Sequence, residues 1–492
     1  DRVGRSTRHR GDSRLYTGPF VVSTNAVLRW RATGPGSLPS PIVTQHYLFD
    51  PDSTIPVVAL ATPPEGLFSQ TDGIFVVGTN AYPRPPYYMA NFWCPWERPT
   101  HADFIEPGGR RGFSQQVGLL VRGAWSRASP QKSVELEARR KYGSGDIHHR
   151  VFPELELDAF DCLVMGQRGI DFRDPLVHSL MPGTAVDILA GRPAHVYFNA
   201  QYWGIYYIQE KIDETYLVGH HGPEAIPADL GEDGWDPKTG DWLGLWELSA
   251  YMQRADLTTP EGYAGAQERM DIDNFIDYQL VQIFADNRDW FGHNVMNWRP
   301  RLHGGVWRWL LKDVDWTFDM TAPGPERNTL ALAISCSPTG AQDCFLLRRL
   351  LENTAFHHTF VNRFADYLNT RFSTKTVIEK INAIASQLEP EAQRHIDRWR
   401  KVPNLAWTPF DNIAEWEASV EVLRAFARDR PEAVRRHIVD QFSLSGTARL
   451  ELTIESPSGG RVWLNSIEFS PSQLPWSGVY FRDVPILVEA IP

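Results

Sequence analysis

Residues 286–319 read DNRDWFGHNVMNWRPRLHGGVWRWLLKDVDWTFD, and the reading of this stretch decides the fold. Asp289 and Asn294 stand where an amphipathic helical pattern ends, and Asp313 and Asp315 follow an alternation of aromatic and aliphatic residues. Between them, Val295 to Arg299 and Val306 to Leu311 read as two strands joined at His303-Gly304-Gly305, since alternation on either side of a glycine turn is a hairpin signature. Such a hairpin gathers carboxylate and amide oxygens, the donors that a hard divalent cation carrying a phosphate requires. Acidic residues beside a turn are also ordinary turn formers and solvated charges, so spacing of this kind discriminates loosely.

Helical periodicity precedes the stretch. Ile272, Ile276, Leu280 and Ile283 recur at helix spacing and deliver Asn287-Arg288-Asp289 at the end of the run. Before it, residues 214–265 are rich in Gly, Pro, Asp and Trp and read as an irregular insertion. After Asp319 come three long helical runs, FLLRRLLENTAFHHTFVNRFADYLNTRF, TKTVIEKINAIASQLEPEAQRHIDRW and AEWEASVEVLRAFARDRPEAVRRHIVDQF, with both charge signs on their outer faces. His357 and His358 are adjacent and cannot share a helix face, which argues against a metal pair.

From Pro56 the pattern is β. PVVALAT reads as a strand, GLFSQTDGIFVVG as a turn and strand, and PPYYMANFWCPWERPTHADFIEP as an aromatic connection into another strand. Residues 116–138 read as strand, glycine turn, strand. There Gly123, Ser126 and Lys132 would set backbone N–H groups and one ammonium against the phosphates of a nucleotide, although a surface hairpin with an exposed lysine has the same pattern. DFRDPLVHSLM reads as a helix burying Val177, Leu180 and Met181. Residues 194–213 read as a hairpin turning at Asn199-Ala200 and leading out through Gln209, Glu210 and Lys211.

Composition sets the outer bounds. A chain of 492 residues is too long for one ordinary core, so two to four domains are expected. The formal charge of −11 and the lack of a basic face exclude nucleic acid as the main partner but not ATP, which needs only a few local cations. No apolar run of about 18 residues is present, so no membrane span is expected. Both ends read as trimmed, and Arg10-Gly11-Asp12 near the first reads as a chance tripeptide. Cys336 and Cys344 flank a loop-like segment and could close a local disulfide or remain thiols. Cys94 and Cys162 read as lone residues in apolar surroundings, and without a CxxC pair a zinc site is not expected.

These motifs resemble the CotH (spore coat protein H) kinase family over about residues 56–442. The resemblance is carried by Gly123-x-x-Ser126 with Pro130-Gln131-Lys132-Ser133, by Arg173-Asp174, and by Tyr202-Trp203-Gly204-Ile205-Tyr206 leading to Glu210-Lys211-Ile212-Asp213. Asn287-Arg288-Asp289-Trp290 with Asn294, and Asp313-Val314-Asp315-Trp316-Thr317-Phe318, complete it. It implies an α+β, atypical two-lobed protein-kinase-like fold, with a β-rich N-lobe over about 56–213 and a helical C-lobe over about 214–442. Residues 1–50 resemble part of a chitobiase-type C-terminal β module and residues 443–492 part of a divergent internalin-type B repeat. Exported bacterial members of the family carry such flanks, which implies an extracellular or cell-surface location.

The implied activity is ATP-dependent phosphorylation of Ser/Thr-type hydroxyls on a surface or coat protein. Asp289 would accept the proton of the attacking hydroxyl. Asn294 and Asp313 would hold Mg²⁺ or Mn²⁺, with Asp315 a second ligand or an orienter of the first. Lys132, Gly123 and Ser126 would hold the phosphates of ATP, and the hinge around Glu210 would seat adenine. A helix glutamate partner for Lys132 and an activation loop are not evident. The rival reading is a catalytically inactive kinase-fold surface adhesin or scaffold. Carbohydrate binding through the eighteen tryptophans is a weaker one, since most fall where cores would bury them.

Overall fold

The computed structural model describes the chain except for residues 1–13, 50–52, 168, 235, 303, 321–323, 336–341, 403–408, 455–459 and 492. The Arg10-Gly11-Asp12 tripeptide, His303 of the hairpin turn and Cys336 therefore lie outside the described residues. The architecture is mixed α+β, and the chain divides into two compact units. Unit 1 takes the described residues of Asp1–Asp171, Ala190–Lys211 and Gln387–Glu415; unit 2 takes those of Phe172–Leu189, Ile212–Ser386 and Trp416–Pro492.

Unit 1 is built on a closed seven-stranded barrel. The barrel order is β10-β11-β9-β6-β5-β4-β3, with β3 Val57–Ala61, β4 Arg98–Ile105, β5 Arg111–Val121, β6 Val134–Glu137, β9 Cys162–Gly166, β10 Gly191–Phe198 and β11 Gln201–Glu210. Closure comes from a parallel pairing of β10 with β3, Val196 opposite Val58, while the other neighbours run antiparallel. Inward positions alternate along each strand and fill the lumen with Val58, Leu60, Phe104, Leu119, Leu136, Met165, Val196 and Ile208. The β10–β11 hairpin turns at Asn199 and Ala200, both at positive φ, as the sequence reading expects.

Two elements of unit 1 differ from the strand pattern. In GLFSQTDGIFVVG no strand forms: Pro64 opens the short helix α1 Pro64–Phe68, and the chain then folds back so tightly that a Cβ on Gly73 would lie 2.4 Å from Ser69 N. Near the start, among the described residues, β1 Ala26–Trp30 pairs with β2 Val43–Tyr47, while Leu15, Phe20 and Val21 lie exposed outside any described strand. That small hairpin is anchored on the barrel by His46, whose Nδ1 lies 2.6 Å from the buried Asp103 carboxylate of β4. A two-residue pair, β7 Ile147–His148 with β8 Ala159–Phe160, completes the unit.

Unit 2 centres on α6 Ile272–Ala285 and a four-stranded sheet of order β13-β12-β14-β15. The hairpin expected from residues 295–311 is β14 Met296–Pro300 with β15 Arg308–Leu310, in register Asn297 to Trp309. Its third strand, β12 Ala228–Glu232, pairs with β14, and β13 Asp236–Thr239 forms the edge. Residues 214–265 are therefore not an irregular insertion. They supply α3 Glu214–His221, β12, β13, α4 Leu243–Arg254 and α5 Pro260–Gln267. Tyr216, Leu217, Ala225, Ala228 and Leu230 of this stretch share one core with Met296, Trp298 and Leu310, while Leu245, Leu248 and Met252 of α4 and Leu257 after it are also buried. Composition hid a segment in which side-chain caps at Asp213 and Thr259 fix the starts of α3 and α5.

Helices α2 Arg173–Ser179, α7 Thr329–Ser335, α8 Gln342–Leu350, α9 Thr354–Asn369, α10 Thr374–Trp399 and α11 Ile413–Gln441 complete the helical content. From Gln387 the residues of α10, and those of α11 through Glu415, group with unit 1. The run expected as one helix from Phe345 breaks between α8 and α9, where the Asn353 side chain accepts from Phe356 N and restarts the helix. Asn274 of α6 is wholly buried and acts as a substitute strand: its Nδ2 donates to Trp309 O and its Oδ1 accepts from Trp309 N. That pairing locks the register of α6 against β15, which is what places the two acidic segments on one framework.

The C-terminal strands β16 Thr447–Leu452, β17 Arg461–Leu464, β18 Ile467–Phe469, β19 Trp476–Phe481 and β20 Val488–Ile491 group with unit 2. They are fastened to α9 through Asp366, which accepts from Ser466 N, Ser466 Oγ and Tyr480 Oη at 2.6–2.9 Å. Among the described residues no helix is long and apolar enough to cross a membrane.

Candidate active site

In unit 2 the chain leaves α6 through Asp286, a left-handed residue with φ 55° whose side chain is fully buried. Its carboxylate accepts from Arg288 Nε at 2.8 Å and Arg327 Nη1 at 3.1 Å, which bends the chain outward. Asn287, also buried, donates from Nδ2 to Gln282 Oε1 and accepts at Oδ1 from Asp289 N. Those bonds present Asp289 with its side chain 41 % exposed, beside Asn294, whose Nδ2 donates to Asp289 Oδ2 at 3.0 Å.

Asn294 is buried in the left-handed region at φ 57°. With its nitrogen turned to Asp289, its Oδ1 accepts no hydrogen bond among the described residues and is left as a donor atom for a hard cation. The acidic segment after β15 reaches the same loop through its backbone: Arg288 N donates to Trp316 O, and Phe318 N to Ala285 O. Asp313 adopts φ 50° and is exposed; Asp315 is half-buried. Asp174, in the first turn of α2, accepts at Oδ1 from Val314 N at 3.0 Å and so fixes the peptide between the two aspartates. The structure thus brings Asp289 and Asn294 into direct contact and ties the Asp313–Asp315 segment to their loop by main-chain bonds. An all-oxygen set of carboxylates and one carboxamide fits Mg²⁺ or Mn²⁺ and not a soft metal.

The other site residues read from the sequence belong to unit 1. Gly123 has φ +106°, and a Cβ there would meet Ser126 Oγ at 2.1 Å, so only glycine fits the turn with Ser126 folded against it. Lys132 does not lie exposed on the next strand. It precedes β6, is 3 % exposed, donates from Nζ to Arg127 O at 2.6 Å, and packs 4.0 Å from the Phe92 ring centroid. The exposed-lysine reading fails because the turn carries Lys132 under the aromatic connection, where Phe92 is buried. Among the described residues no carboxylate lies within ion-pair distance of this ammonium, and burial pushes its pKa down to about 7.

Glu210 is buried at the end of β11 and accepts from Ala190 N at 2.9 Å, so its carboxylate closes the barrel strand locally. Cys162 is free and buried, but its surroundings are not apolar: Glu135 and Glu137 approach it within 4.8 Å, their charges balanced by Arg122 and Lys211. Cys344 stands in a disulfide.

The missed residues are Asn274, Asp233, Glu232 and Arg430. None belongs to a spacing motif, and the Glu232-Asp233-Gly234 turn looks like any polar loop. Arg430 of α11 is fully buried and donates to Ile283 O, Phe284 O, Pro325 O and Arg327 O at 2.6–2.9 Å, capping the last turn of α6 just before Asp286.

A family model described as CotH kinase protein matches residues 119–434, well over half of the chain. The chain belongs to the CotH kinase family. Among curated proteins no sequence matches it significantly. The matched CotH region contains Gly123, Lys132, Asp174, Asp289, Asn294, Asp313 and Arg430, and membership of this family points to kinase-like function.

The burial of Lys132 has a pH signature. The folded chain releases the Lys132 proton near pH 7, whereas the unfolded chain holds it to its ordinary value of 10.5. The unfolded state binds more protons across that window, so the contribution of Lys132 to stability rises with pH between 7 and 10.5 and is flat outside it. Lys132→Met is therefore expected to exceed the wild type in stability at pH 7, with a gap that narrows by about 2 kcal/mol by about pH 9. Urea unfolding at the two pH values checks this, and a gap independent of pH would refute the buried-ammonium geometry.

Proposed function

We propose that this CotH family member is an atypical protein kinase that transfers the γ-phosphate of ATP to a Ser/Thr-type hydroxyl of a secreted or surface protein, with an N-lobe over about residues 56–213 and a C-lobe over about 214–442. The observation that carries this reading is the Asp289–Asn294 contact: a solvent-reachable carboxylate gripped by the amide nitrogen of a residue whose amide oxygen is left for a cation.

In this reading Asp289 orients the substrate hydroxyl and takes its proton. The Asp289 carboxylate is held ready by Asn287 through the backbone and by Asn294 at Oδ2, so no side-chain reorganisation precedes proton transfer. Asn294 Oδ1 and Asp313 hold Mg²⁺ or Mn²⁺, and Asp315 is a second ligand or an orienter. A bound divalent ion would neutralise charge on the ATP phosphates. Asp174 supports the Asp313–Val314 peptide by accepting from Val314 N. Lys132, short of a carboxylate, suits a phosphate oxygen, and Gly123 and Ser126 shape the turn beside it. Glu210 accepts from Ala190 N at one carboxylate oxygen, and the main chain around it would seat adenine. The Cys344 disulfide supports an oxidising, extracellular or cell-surface location.

Isothermal titration with a non-hydrolysable ATP analogue tests the proposal. Binding should require Mg²⁺ or Mn²⁺, and at pH 8 it should take up a proton as the phosphate recharges Lys132, read as a dependence of the heat on buffer ionisation enthalpy. No binding with either metal would reject the kinase reading in favour of the adhesin or scaffold.

A further inference from the structure

The dipeptide Glu232-Asp233, at the end of β12 in the stretch that composition presents as an insertion, reaches both candidate metal-binding segments at once. Asp233, at φ 57°, donates its N–H to Val295 O at 2.8 Å and accepts Val295 N at Oδ1 at 2.9 Å. Its other oxygen, Oδ2, lies 3.2 Å from His293 Nδ1. The two residues flanking Asn294 are therefore both held by one carboxylate. The far side of the same imidazole, Nε2, lies 3.9 Å from Asp289 Oδ2. Glu232 does the corresponding work on the other segment: its Oε1 pairs with Lys312 Nζ, the residue immediately before Asp313, and its Oε2 lies 3.3 Å from Lys238. Both members of the Glu232–Lys312 pair are less than one-fifth exposed, so solvent screens the bond only in part.

A divalent cation gains from ligands only what is not lost in ordering them. Asn294 and Asp313 both sit at left-handed φ, which asparagine and aspartate adopt more readily than other non-glycine residues but still as a minority conformation, so bonds from neighbours bias both turns toward it. Without Asp233, Val295 N and His293 lose the acceptor that fixes the Asn294 turn. Without Glu232, Lys312 loses its partner and the Asp313 turn is left with one restraint fewer beside the Val314 N–Asp174 bond.

The geometry points to Glu232 and Asp233 as positioning residues that set the affinity of this chain for its divalent cation by holding the Asn294 and Asp313 turns in ligand-presenting form. The inference rests on the kinase reading above, since it takes Asn294 and Asp313 as the ligands.

The test is direct Mn²⁺ binding to the full chain, followed by electron paramagnetic resonance of free Mn²⁺ with and without an ATP analogue, on the wild type and on Asp233→Asn, Glu232→Gln, Lys312→Met and Asp313→Ala. Expected are a dissociation constant raised about 10-fold or more in each of the first three variants, as outer groups around metal ligands commonly give, and loss of binding in Asp313→Ala. Melting temperatures should stay close to the wild type in all four. Raising Mn²⁺ should restore phosphoryl transfer in Asp233→Asn and Glu232→Gln, which a general loss of fold would not allow. Wild-type Mn²⁺ affinity in both Asp233→Asn and Glu232→Gln, alongside lost binding in Asp313→Ala, would overturn the inference and leave the kinase reading standing. Absence of Mn²⁺ binding by the wild type would overturn both.

Discussion

Asp289→Asn is expected to lower phosphoryl transfer by about 10²–10⁴-fold, the range over which a positioned general base acts, while the melting temperature and ATP-analogue affinity stay near the wild type. The side chain is 41 % exposed, with Asn294 Nδ2 at 3.0 Å and His293 Nε2 at 3.9 Å from Oδ2, and an asparagine oxygen at that place can still accept from Asn294. The substitution keeps shape and hydrogen bond and removes only basicity. Surface replacements without strain or cavity cost within about 0.5 kcal/mol, so the loss would be chemical. Initial rates with Mn²⁺-ATP and a generic acceptor protein, set beside thermal melts, check it. Unchanged transfer would remove Asp289 from the chemistry, and the absence of transfer in the wild type itself would favour the adhesin or scaffold.

The second large effect is on stability. Arg430→Met is expected to destabilise unit 2 by about 3–5 kcal/mol, as removal of one partner from a buried charged network does. The guanidinium binds Ile283 O and Phe284 O, two of the carbonyls that a helix C-terminus leaves unpaired, together with Pro325 O and Arg327 O. Methionine fills the volume but satisfies none of them, and the buried Asp286 loses a neighbouring positive charge. Burial draws the guanidinium pKa down to about 10, against the pull of Asp286, so the group is still charged at neutral pH. Arg430→Lys should recover little, since one ammonium cannot reach four carbonyls arranged for a fork. Urea denaturation followed by tryptophan fluorescence measures the loss. A change below about 1 kcal/mol, the size of a single ordinary hydrogen bond, would show that the network is not cooperative.

The two substitutions separate the layers of the site. Asp289 acts on the chemistry from an exposed position, whereas Arg430 acts from the core on the helix end that delivers Asp289. A loss of activity in Arg430→Met should follow the fraction unfolded; a loss in Asp289→Asn should not.

Local pattern determined much of this protein. The α6 periodicity, the β14–β15 hairpin, the β10–β11 turn at Asn199-Ala200 and the helical runs after Asp319 each rest on residues close in sequence, where spacing and turn chemistry suffice. The same locality made Asp289 and Asn294 legible as a pair, since one turn of chain spans them. Only the tertiary structure decided the rest. Barrel closure joins β3 to β10 across more than a hundred residues. The burial of Lys132 depends on Phe92 of a distant connection, and the ordering of residues 214–265 depends on β14 supplying the partner strand. Asp233, Glu232 and Arg430 gain their meaning from partners 60 to 147 residues away. Hydrogen bonds and desolvation act through space, and a sequence pattern records only those neighbours that the chain itself keeps close.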